Sequence, residues 1–137
     1  MVNVTKENFE LFKKECTKWI NYFGLKDWQV HYTHAKIERS RAQCCFNCVG
    51  RIATMTLNTK WDEINKDFVN DNNIKKTAFH EVCELMLGRL NDMVSQRYEL
   101  SELDVEEEIH RIIRILENTV FEQVLNKEKN YENCTVL

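Results

Sequence analysis

Apolar residues recur at Phe9, Phe12, Cys16, Trp19, Ile20 and Phe23, the spacing of an amphipathic helix over residues 5–23. Thr5 suits its N-cap, and Gly24 stands where a C′ glycine belongs. The period then changes from helical to two. Trp28, Val30 and Tyr32 alternate with Gln29, His31 and Thr33, predicting a half-buried strand over 28–34. Residues 41–48 and 51–58 read as two further strands, and Val49-Gly50 between them suits a hairpin. In the second of these, Ala53, Met55 and Leu57 oppose Thr54, Thr56 and Asn58.

Residues 61–73 are polar and end in Asn70-Asp71-Asn72-Asn73, so they predict a loop feeding a helix with an Asx N-cap. That second helix is expected over about 73–92. Ser101 and Asp104 fit a capping box, and Val105, Ile109, Ile112, Leu116, Val120 and Val124 sustain one apolar stripe through a long third helix. The last dozen residues, 126–137, read as a frayed tail. Helix, three strands, helix, helix, with no repeat and no linker, defines an α+β class and a single domain over 1–125.

Composition narrows the function. The 137 residues include no proline and three glycines, with 43% hydrophobic and 30% charged residues. That is too apolar for intrinsic disorder, and it excludes proline-rich ligand segments and glycine-rich phosphate loops. A net charge of −3 argues against a nucleic-acid or anionic-membrane surface built on bulk charge. There is no stretch long enough to span a bilayer and no signal-peptide core near the start, so a cytoplasmic protein without a membrane partner is expected. The six cysteines are then expected as free thiols. Cys44 and Cys48 would share one strand face while Cys45 points the other way, which suits small buried side chains better than a zinc knuckle.

The candidate chemistry lies in His80-Glu81-Val82-Cys83-Glu84. His80 and Glu84, four residues apart on a helix, share a face and can offer two donors to one metal ion. A glutamate directly after the first ligand is where metallopeptidases keep the general base, here Glu81. On the helical wheel His80, Glu81, Glu84 and Thr77 form a polar face opposite Ala78, Phe79, Val82, Leu85 and Met86. Cys83 falls toward the apolar flank.

A third ligand is sought on the third helix. Measured from Ile109, Glu106 falls at about 60°, Glu117 at about 80° and His110 at about 100°, one shoulder beside the apolar stripe. His110 is preferred and Glu106 is the alternative. With His110 the set is two histidines and a glutamate, the composition of a catalytic zinc site with its fourth position open to water. Glu107 and Glu108, with Glu99, Glu102 and Asp104, read as acids favoured near a helix N-terminus. His31 and His34 point to opposite strand faces, and either could border a cleft. Trp61 and Tyr98 flank the metal helix, and packing accounts for both.

This sequence resembles the minimal zincin metallopeptidases, the SprT-like group among them, and in particular small phage-encoded zincin-like proteins. The likeness runs through Gly50-Arg51-Ile52-Ala53-Thr54, Leu57-Asn58-Thr59, Lys76 to Leu85, and Ile112 to Asn118, and covers roughly residues 5–125. It implies a one-zinc hydrolase acting on a peptide or protein substrate in the host cytoplasm, with His80 the first ligand and Glu81 the base. It also implies that the strand bearing Thr54, Thr56 and Asn58 is an edge against which extended substrate lies. The family carries HExxH, whereas position 84 here is glutamate. Glutamate can ligate zinc, but it lowers the charge of the site and weakens its pull on a water proton. A catalytically inactive zincin scaffold that occupies a host protein is therefore the competing reading.

Overall fold

The computed structural model describes residues 1–62, 68–96 and 98–135. Residues 63–67 of the expected loop over 61–73 lie outside the described residues, as do Val136 and Leu137 of the expected tail. The chain runs β1 (Val2–Asn3), α1 (Lys6–Tyr22), β2 (Gln29–Ala35), β3 (Ala42–Asn47), β4 (Ile52–Asn58), β5 (Lys60–Trp61), α2 (Asp71–Met86), α3 (Gly88–Ser95) and α4 (Glu102–Leu116). A π turn (Glu117–Phe121) then leads into α5 (Glu122–Thr135). The class is α+β, as the periodicities predict. Helix continues through Thr135, across the segment where a frayed tail is expected.

Local side chains fix the helix ends. Thr5 Oγ1 accepts the Asn8 N–H at 3.1 Å while Asn8 Oδ1 accepts the Thr5 N–H at 2.8 Å, a reciprocal cap on α1. Gly24, at φ 71°, follows that helix in a left-handed conformation that costs glycine little. Ser101 and Asp104 form the same reciprocal cap on α4. Asn70 caps α2 by accepting from the Asn73 N–H at 2.8 Å, so this helix starts at Asp71, two residues before its expected start.

The expected helix over 73–92 is two helices. It breaks at Leu87, whose φ of −91° and ψ of 2° are not helical. A Cβ on Gly88 would lie 3.0 Å from Phe46 Cε2, so the backbone here runs against a β3 ring more closely than a side-chain carbon usually packs. Arg111 Nη2 from α4 donates to the Met86 carbonyl at 3.2 Å, satisfying one of the acceptors that a helix end leaves open. In the β3–β4 hairpin the left-handed residue is Arg51, at φ 54°, and not Gly50. Its guanidinium lies over the Trp28 ring at 5.3 Å.

The three-stranded sheet has the order β2-β4-β3, with β2 parallel and β3 antiparallel to β4. β4 is therefore the central strand, which corrects the expectation that Thr54, Thr56 and Asn58 stand on a substrate-binding edge. Both edges of β4 are paired, and Thr56 and Asn58 are buried. Thr56 shares a 2.7 Å hydrogen bond with Thr33. The Asn58 amide donates to the Ile37 and Ser40 carbonyls, both at 2.8 Å, so it organises the β2–β3 connection. Among the described residues the edge strands are β2 and β3, and β5, one residue after β4, pairs antiparallel with β1 in a separate two-stranded ribbon.

One sheet face carries Ala42, Cys44, Ala53, Met55 and Leu57 into a core with Phe12 and Cys16 of α1 and Ile74, Ala78 and Val82 of α2. The other face presents Gln29, His31, Thr33, Gln43 and Cys45 to solvent. Trp61 is in the core, its indole N–H donating to the Arg41 carbonyl at 3.1 Å. The α4–α5 helix turns Glu108, Ile112, Ile115 and Thr119 toward the body, and Gln123 accepts from the Tyr22 hydroxyl at 2.5 Å. Ile109, Leu116, Val120 and Val124 of the expected core stripe are exposed instead. Among the described residues no helix is long and apolar enough to cross a membrane.

Candidate metal site

The α2 helix brings His80, Glu81 and Glu84 together: one ligand atom from each lies within 4.8 Å of the other two. His80 Nε2 is 3.4 Å from Glu84 Oε1, the contact expected of residues one helical turn apart. An imidazole nitrogen and two carboxylates make a donor set that could hold a divalent ion. Among the described residues this is the one such group.

Its third member is Glu81, where the sequence predicts His110 or Glu106. His110 is exposed on α4, and its Nδ1 lies 2.8 Å from the Glu106 carbonyl. Neither residue joins the α2 group. The reason is tertiary: α4 packs against α3, and its Arg111 meets α2 at the Met86 carbonyl, the C-terminal end of α2.

Glu81 is also not on the exposed polar face that the wheel assigns to it. It is 4% exposed, because it continues the row Ile74, Ala78, Leu85 at helical spacing. Phe79, assigned to the buried side, is instead partly exposed and packs edge-on against Trp19 at 4.8 Å. Glu81 Oε2 is buried without a hydrogen-bond partner among the described residues. Burial, then the Glu84 charge and a hydrogen bond to Glu84, push the Glu81 carboxyl up to about 8. Near neutral pH it therefore carries a proton that a cation would displace.

Two thiols border this carboxyl. Burial, then the Glu81 and Glu84 charges, push Cys44 up to about 12. Burial raises the Cys16 thiol too, and Glu81 adds to it. Cys16 Sγ sits 3.9 Å from the Ala78 carbonyl. Both are protonated packing residues, since the thiolate is the form that ligates or attacks. All five described cysteines are free. Burial then a hydrogen bond to Asp92 raise Cys48 to about 11; of the cluster expected to be buried, Cys44 and Cys48 are half-buried and Cys45 is exposed, because it lies on the solvent face of β3.

A cleft of about 520 Å³ opens beside the group, lined by Arg41, Asn73, Lys76, Thr77, Phe79, His80 and Cys83. Cys83 thus borders the cleft. A larger hollow, about 610 Å³, is formed by residues 36–41 and 58–62 with Met1, and includes none of the three site residues. Of the other histidines, His31 is exposed, whereas His34 stacks on Phe9 at 5.1 Å with Nε2 buried and unpartnered among the described residues.

A second polar centre was not legible in the acidic run. Glu108, expected as a solvated acid, is buried and takes Arg111 as a bidentate partner, with Nη2 to Oε1 at 2.7 Å and Nε to Oε2 at 3.0 Å. Arg89 Nε adds a contact at 3.9 Å. The available signal was the i, i+3 pairing of Glu108 with Arg111 beside Ile112. No protein-family model, no curated protein and no solved structure matches the chain.

Proposed function

We propose that this protein is a zincin-like, zinc-dependent metallopeptidase in which His80 and Glu84 hold the ion and Glu81 is the general base. The carrying observation is the buried Glu81 carboxyl with an unpartnered Oε2, one ligand atom of which lies within 4.8 Å of His80 and Glu84 donors. An orphaned buried oxygen is costly unless something compensates it, and a cation held by His80 and Glu84 would do so through its charge, favouring the ionised carboxylate and leaving Glu81 free to act as base. A bound zinc ion contributes Lewis acidity, polarising a carbonyl and making water acidic near neutral pH.

The chain's own residues would do the rest. His80 and Glu84 orient the site from consecutive turns of a rigid helix. Glu81, ionised once His80 and Glu84 hold a cation, takes a proton from water beside His80 and returns it to the leaving amine. The 520 Å³ cleft beside His80 is the place for a peptide segment, and β3, an edge strand of the sheet, is the one to which extended substrate can add. The decisive experiment compares wild type with Glu81→Gln. Zinc content should be retained and peptide hydrolysis lost, and equal hydrolysis by both forms would remove Glu81 as base.

One observation favours a second reading. All three donors come from α2, and among the described residues no second element adds a ligand. A non-catalytic scaffold that sequesters a host protein would need no more. It forms complexes that survive Glu81→Gln and shows no hydrolysis in either form.

A further inference from the structure

We infer that the exposed stripe on the α4–α5 helix is a self-association surface on which a second copy of this chain packs antiparallel. Ile109, Ile113, Leu116, Val120 and Val124 are each 39 to 50% exposed, although they recur at the spacing of a coiled-coil seam. The body already holds this helix through other residues, Arg111 at the Met86 carbonyl, Ile115 against the core and Gln123 at the Tyr22 hydroxyl. The stripe is therefore a separate face.

The backbone keeps that face continuous. From Ile109 the steps are four, three and four residues, then four again where a regular seam takes three. The π turn at Glu117–Phe121 absorbs one residue relative to a regular helix, which holds Val124 in line with Val120. Val124 would otherwise rotate off the seam.

The stripe matches its own reverse. Under a two-fold axis near Leu116, Ile109 faces Val124 and Ile113 faces Val120, as an isologous interface requires. Three residues outside each end of the stripe stand opposite charges, Glu106 before Ile109 and Lys127 after Val124. Both are exposed. Antiparallel packing sets Glu106 against Lys127 at both ends, whereas parallel packing sets Glu106 on Glu106. Charge therefore selects a second copy in antiparallel register.

The helix from Glu102 to Thr135 is roughly 50 Å long and about 10 Å wide. A pair would bury on the order of 1,000 Å² in all, at the lower limit for a specific interface. A reversible dimer with a micromolar dissociation constant is expected.

Sedimentation velocity from about 1 to about 200 µM tests this on the full chain. Wild type should pass from monomer to dimer. Leu116→Glu should stay monomeric with unchanged helicity by circular dichroism, because the side chain it replaces is exposed. Lys127→Glu should weaken association by about fivefold or more, and Lys127→Glu with Glu106→Lys should restore it. Wild type monomeric at the highest concentration, or Leu116→Glu still dimeric, would overturn the surface. Unchanged association of Glu106→Lys alone would overturn the antiparallel register, since parallel copies only exchange one like-charge pair for another, whereas antiparallel copies set the new lysine on Lys127.

Discussion

Glu81 and Glu84 sit on successive turns of α2 with a carboxylate oxygen of each within 4.8 Å of the other, one buried and the other exposed. That pairing joins a low-dielectric carboxyl to a solvent-facing ligand, and much of the expected behaviour of the site follows from it.

Metal affinity should depend on α2 alone. His80→Ala and Glu84→Ala are each expected to weaken zinc binding by about tenfold or more, as loss of one ligand does. His110→Ala should leave it unchanged, because His110 lies outside the group. Zinc per chain by mass spectrometry, with competitive titration against a chelator, reads all three. A loss in His110→Ala equal to that in His80→Ala would show that α4 closes onto α2.

Stability without metal should fall as pH rises. The folded Glu81 carboxyl is held up at about 8 against an ordinary value of 4.5, so the folded state holds a proton that the unfolded state releases. Stability is then fully present below the unfolded value and is lost as pH rises toward the folded one. The loss should be roughly 2 to 4 kcal/mol between about pH 4.5 and 8, after allowance for relaxation around the carboxyl. Glu81→Gln removes the charge that must be buried and should flatten the profile. Urea titrations at a series of pH values in the presence of a chelator check this, and identical slopes in both forms would rule it out.

The Glu108–Arg111 clamp predicts a different loss. Glu108→Ala leaves Arg111 without its bidentate partner beside the Met86 carbonyl. Arg111 is partly exposed and recovers some hydration, so the cost should be about 1 to 3 kcal/mol. Thermal melting should show it, and amide exchange should quicken at the α2–α3 junction, where α4 is anchored. A melting temperature within a degree of wild type would mean the clamp contributes nothing.

Gly88→Ala sets two effects against each other. Alanine gains about 1 kcal/mol of helix propensity, but three Phe46 ring atoms lie 3.0 to 3.2 Å from the added Cβ. Phe46 is itself held edge-on to Trp28 at 6.1 Å, so the ring has little room to retreat. The substitution should destabilise by about 1 kcal/mol. Combined with Phe46→Leu, the two changes should cost less than their separate losses together, which denaturant titration of the four proteins would reveal.

The helices, their caps and the alternating strands were legible because they depend on residues within a few positions of one another. Thr5 with Asn8, Ser101 with Asp104, and Ala53, Met55 and Leu57 on one strand face are all local facts. The hinge at Leu87 was not, because it exists only where Gly88 meets Phe46 of a distant strand.

The candidate site divides the same way. Two donors one turn apart, His80 and Glu84, were visible in the spacing of α2. The burial of Glu81 and the exclusion of His110 were decided by what packs against α2 and α4, namely the core row of Ala78 and Leu85 on one and the Glu108–Arg111 clamp on the other. The centrality of β4 likewise arises only when β2 and β3 pair with its two edges. By itself the sequence determined the secondary structure, the α+β class and a pair of donors on one helix, since the periodicity and capping that define them act over a single turn or strand. Only the tertiary structure decided which polar groups lose water, because desolvation depends on neighbours brought from elsewhere in the chain.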